Sequence, residues 1–236
     1  MKRIYDDISK FLKLAPDFEG RIKEIGLQIR EKSKAEYGTD LLDARLNLMA
    51  IAHYLLGCKS MKPGDVDANS SNKLLLIAVF YQGTNYIEDL ISEGQYIKAC
   101  AAIKQDYELL ARINAINNSI DRPGEVPNIK NLPSEVRPLY GDLNKIAHIS
   151  ESESLNSLMY HSVKDDVVGI SPFCNFIPEM AKALYELHLF TLVNIVREHI
   201  KLMESMYEDG KEIIRPIQKY FIVAIEYLKK GGFSVE

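Results

Sequence analysis

Apolar residues recur at three- and four-residue intervals along almost the whole chain, and this spacing constrains the fold more than any other feature. Ile22, Ile25 and Ile29 are separated by charged residues, and Leu42, Leu46, Met49 and His53 repeat the pattern. A helix presents such residues on one face, so each stretch reads as a helix with one buried side. The first stretch, Ile4, Ile8, Phe11 and Leu12, is expected to close at Pro16, and the second at Gly38. The polar run from Gly57 to Ser71 reads as a loop. Further helices are expected from about Asn72 to Ser92, from Gln95 to about Ser119, from Ser134 through Ile149, from Ile177 to Tyr207, and from Lys211 to Lys230. A second loop covers Asp121 to Pro133, and a short strand is possible at Val167 to Ile170.

Helices joined by short loops imply an all-α fold: an antiparallel helical bundle with additional N-terminal helices. Residues 1–57 are expected to form an N-terminal helical segment packing on the bundle, 58–71 a loop, and 72–236 the main bundle. The 236 residues are 47% hydrophobic, enough for a sizeable core. The apolar runs at Leu74 to Tyr81 and Leu189 to Val196 fall far short of a bilayer span, so no membrane partner and a cytoplasmic location are expected.

Charge and motif content exclude several function classes. Lys+Arg 29 against Asp+Glu 33 leaves a net charge of -4, without the basic excess of a duplex-DNA binder. Cys58, Cys100 and Cys174 are too far apart for a zinc ribbon. Glu-x-x-His and His-Glu-x-x-His spacings are absent, so no metal is expected. Phosphate-binding glycine loops are also absent, and no cofactor is expected.

One polar constellation stands out. Tyr140, Asn144 and His148 follow at i, i+4 and i+8, drifting only ~40° per step, so they share a helical face. His148 could serve as a general acid or base, with Asn144 and Tyr140 orienting a phosphate or hydroxyl. Glu108 and Arg112, i and i+4 on the preceding helix, could pair with each other or meet this face as binding residues. A structural hydrogen-bonding role for the same residues outweighs the catalytic one, because polar networks also serve core specificity.

Residues 73–206 resemble HEPN-type helical bundles, on Glu93-Gly94-Gln95-Tyr96 leading into a helix with Lys104, Glu108 and Arg112, and on the helix from Tyr140 to His148. The resemblance implies a helical bundle that assembles as a homodimer. Ribonucleases of this type place an Arg four to six residues before the His. Here the nearest preceding Arg is Arg137, and position 143 is Leu. The expected function is therefore a HEPN-like binding or interaction protein without catalysis. The alternative is a metal-independent ribonuclease or nucleotide-binding protein using His148, Asn144 and Tyr140.

Overall fold

A computed structural model describes residues 8, 11–57, 66–148, 152–159, 161–164 and 167–232. The described residues are predominantly helical, as the periodicity implies. The described residues form α1 (Leu14–Gly57), α2 (Ala68–Ser92), α3 (Tyr96–Asn117), α4 (Arg137–Ala147), α5 (Ser152–Leu158), α6 (Pro178–Met206) and α7 (Gly210–Lys230). A 3-10 turn at Ile129–Asn131 interrupts the loop before α4. Between α5 and α6 lie β1 (His161–Lys164) and β2 (Val167–Ile170), antiparallel, with His161 opposite Ile170 and Lys164 opposite Val167. The possible strand at 167–170 is thus one arm of a hairpin.

Several boundaries differ from the sequence expectation. Pro16 does not end a helix; it sits in the first turn of α1, where a missing N–H costs nothing. Gly38 is the real break. Its φ of 74° and ψ of 163° are non-helical, and α1 kinks there before continuing to Gly57. α2 begins at Ala68, because the Asp67 side chain accepts a hydrogen bond from the Ser70 N–H at 2.6 Å and caps the first turn. Residues 68–71 are therefore helix rather than loop, while Ile4, Cys58 and the rest of the expected loop (58–65) lie outside the described residues. Ser134 does not cap α4. The N-cap is Val136, and the helix ends at Ala147 with His148 as its C-cap.

The core gathers the apolar faces of α1, α2, α3, α6 and α7. Leu41, Leu48, Phe80, Ile91, Ile103, Leu110, Leu192 and Leu228 are all buried. α1 packs chiefly on α7 and α6, α3 on α2, α4 and α6. The α2–α3 turn passes through Gly94 at φ 77°, where a Cβ would stand 2.6 Å from the Asn175 carbonyl oxygen. Only glycine allows that approach. Next to it, the buried Tyr96 hydroxyl accepts the Ile177 N–H at 3.1 Å and so fixes the start of α6. No described helix is long and apolar enough to cross a membrane.

Candidate functional site

The expected Tyr–Asn–His face is only partly assembled. Tyr140, half-buried in α4, donates its hydroxyl to Glu108 Oε1 of α3 at 2.6 Å. Lys104, one turn earlier on α3, pairs with Glu108 at 3.0 Å and lies 5.8 Å from the centre of the Tyr140 ring. Burial, and then the hydrogen bond to Glu108, pushes the Tyr140 hydroxyl up to about 12. Glu108 and Tyr140 therefore meet as the shared helical phase implied.

The other members do not join them. Glu108 is taken by Lys104 and Tyr140, and Arg112 reaches Asp121 at 3.5 Å instead of pairing with Glu108. Asn144 is half-exposed, and His148 is exposed at the end of α4, with its backbone N–H bonded to the Asn144 carbonyl. Two turns separate His148 from Tyr140, so the imidazole stands away from the carboxylate that could have tuned it. The consequence is testable by thermal melting. Tyr140→Phe leaves Glu108 with Lys104 alone and should cost about 1 kcal/mol, whereas His148→Ala should change stability by less than about 0.5 kcal/mol.

Among the described residues, a buried grouping of ionisable side chains lies elsewhere, at the junction of four helices. Arg45 of α1 donates to Glu88 of α2 through Nε at 2.9 Å, and its terminal nitrogen donates to Asn85 at 2.9 Å. Glu88 Oε1 stands 3.5 Å from His188 Nε2 of α6, and His188 Nδ1 stands 4.0 Å from Asp106 Oδ2 of α3. His188 is fully buried and lies parallel to Phe80, 6.0 Å between ring centres. Beside them Tyr37 stacks on Tyr185 at 3.9 Å, holding α1 to α6.

Burial governs the electrostatics of this junction. It raises the Asp106 carboxyl to about 8. Burial also pulls the Glu88 carboxyl upward, but the neighbouring His188 and Arg45 outweigh it and leave the group below its ordinary range. Asp106 Oδ2, Tyr37 Oη, Tyr107 Oη and both His188 ring nitrogens are buried without a hydrogen-bond partner among the described residues. A second polar contact links α2 and α6, where Tyr81 Oη lies 3.2 Å from His199 Nδ1. Burial lowers the His199 imidazole to about 4.

These residues were not singled out by sequence, yet a signal existed. Arg45 interrupts the run Leu41, Ala44, Leu48; Asp106 interrupts Ile103, Tyr107, Leu110; His188 interrupts Leu184, Tyr185, Leu192. A charged residue on an otherwise apolar helical stripe is buried and must find its partner inside the protein. The described residues contain no group of three His, Cys, Asp or Glu side chains able to hold a metal. Comparison with family models, with curated proteins and with solved structures finds no match to this chain.

Proposed function

We propose that this chain is a HEPN-like helical interaction protein, cytoplasmic and assembling with itself, that acts by binding rather than by catalysis. The observation that supports this reading is the separation of chemistry from access. His188, Asp106 and His199 are all buried in the core. The imidazoles of His188 and His199 are enclosed, whereas catalysis needs a reacting atom within hydrogen-bond reach of the base. The accessible histidine of the expected site, His148, is joined by neither Glu108, which pairs with Lys104, nor Arg112, which reaches Asp121. The Arg that the ribonuclease reading requires is missing at its expected spacing. Open apolar surface, in contrast, is plentiful at the start of α1, where Leu14, Phe18 and Ile22 stand exposed, as does Phe11 just before it.

The ribonuclease alternative makes an opposite forecast. Labelled single-stranded RNA incubated with the wild-type chain and with His148→Ala should remain intact in both. Cleavage by the wild type that disappears in His148→Ala would overturn the non-catalytic reading.

A further inference from the structure

A cleft opens where the α2–α3 turn meets the end of α5 and the segment leading into α6. One lobe, about 200 Å³ in volume, has an apolar wall of Ile97, Leu158, Met159, Pro172 and Phe173. Gln95, Lys98 and Cys174 line it as well. A second lobe of about 280 Å³ shares Gln95 and Cys174 and is completed by α1 and by Glu93. The walls are fixed by the rest of the fold. The Phe173 ring lies 5.7 Å from Phe18, and the Arg21 guanidinium is 5.0 Å from its centre. Gly94 packs on the Asn175 carbonyl, and the Tyr96 hydroxyl accepts the Ile177 N–H at 3.1 Å. A ligand therefore meets a site already formed and does not have to order it.

The charges of the cleft are unevenly matched. Glu93 accepts hydrogen bonds from Arg30 at 2.6 Å and from the Gln95 amide at 3.4 Å. Lys98 has only a neutral acceptor: its ammonium donates to the Gln95 side-chain oxygen at 3.1 Å, and no carboxylate of the described residues pairs with it. Burial raises the Cys174 thiol above its ordinary range while the Lys98 charge pulls it the other way, so ammonium and thiol act on the same space. The start of α3 adds to the positive potential there, because no side chain caps its first amides.

We propose that this cleft binds a small aryl carboxylate, with a single ring in the apolar lobe and the carboxylate on Lys98. Size sets the body of the ligand. An apolar cavity of about 150 Å³ already takes up benzene, so one ring suits the first lobe and a larger fused system does not. The Phe173 ring and the sulfurs of Met159 and Cys174 favour an aromatic body over an aliphatic one. Charge sets the direction. Glu19 and Glu93 line the second lobe, so the carboxylate turns to Lys98, the cation that lacks a carboxylate partner. Binding makes and breaks no bond, so it is independent of the non-catalytic reading above.

Calorimetric titration of the full chain with hydrocinnamate tests the proposal. A ligand of about eleven heavy atoms should bind with a dissociation constant of about 0.1–1 mM. Lys98→Met should weaken binding by about tenfold or more, as should the neutral amide of the same ligand, whereas Lys98→Arg should retain it. Lys98 is exposed, so neither substitution disturbs the core. Hexanoate, which has no ring, should bind at least about threefold more weakly. A second readout locates the ligand. Cys174 is half-buried in the wall, and saturating hydrocinnamate should slow its alkylation by iodoacetamide at least about fivefold, as followed by peptide mapping. Absence of saturable binding up to about 10 mM would overturn the proposal. An affinity indifferent to Lys98→Met or to the amide would overturn the carboxylate on Lys98, and hexanoate binding as tightly would overturn the aromatic body. Binding that leaves Cys174 unprotected would place the ligand outside the cleft and overturn the site.

Discussion

Replacing Arg45 with Met should destabilise the fold by about 2–4 kcal/mol in urea denaturation at neutral pH. The reason is the Glu88 carboxylate. It is held below its ordinary range despite burial, and Arg45 is one of the two groups that hold it there. Removing the guanidinium leaves a charge in the four-helix junction with His188, at 3.5 Å, as its remaining partner among the described residues. The side chains of Arg45 and Glu88 are 23% and 19% exposed, so residual water access keeps the loss toward the lower part of the range for buried pairs. The double change Arg45→Met/Glu88→Met removes both charges together and should recover most of the loss, because the desolvation cost disappears with the pair. A single change costing under about 1 kcal/mol, or a double change worse than the single, would show that this pair does not organise the junction.

Asp106 should make stability decline as pH rises from about 6.5 to 8. Its carboxyl titrates near 8 in the folded chain and near 3.8 when unfolded. Between those values the folded state holds a proton that the unfolded state has lost. Stability contributed by this group is therefore present at low pH and is lost as pH rises through the folded value. Over 6.5 to 8 the decline is roughly 2 kcal/mol, at about 1.4 kcal/mol per pH unit. His199 acts with the opposite sign: its imidazole is lowered to about 4, so its contribution is present above about 6.5 and is lost as pH falls toward 4. Measuring above 6.5 separates the two. Asp106→Asn should flatten the alkaline decline while leaving the acid limb in place. An equal slope in the wild type and Asp106→Asn would show that Asp106 titrates elsewhere.

The sequence pattern located most of the helices because the core is built from their apolar stripes. Buried Leu189, Leu192 and Val196 mark α6, and Ile214, Ile217, Ala224 and Leu228 mark α7, at helical spacing. Boundaries were less legible, since they depend on which groups satisfy the end of a helix. Asp67 caps α2 four residues before the apolar run suggests, and Pro16 enters a first turn instead of closing a last one. The candidate site was half legible for a similar reason. Helical phase places Tyr140 toward α3, and Glu108 is there to meet it. Phase alone does not say where a neighbouring helix stops covering its partner, and His148 lies at the exposed end of α4. The Arg45, Glu88, His188 and Asp106 junction joins residues of four separate helices, so no local spacing contains it. What the sequence does contain is each charge standing alone on an apolar stripe.

Chemical modification of histidines tests most directly the claim that the reactive groups are sealed away from any substrate. Diethyl pyrocarbonate acylates accessible, unprotonated imidazoles, and peptide mapping assigns the rate at each residue. At neutral pH the exposed His53 and His148 should react rapidly. His188 and His199, both buried, should react only as fast as the chain opens, orders of magnitude more slowly, and should catch up once the protein is unfolded. A His188 modified in the folded chain as fast as His148 would mean that the four-helix junction opens to solvent, and would contradict the non-catalytic account.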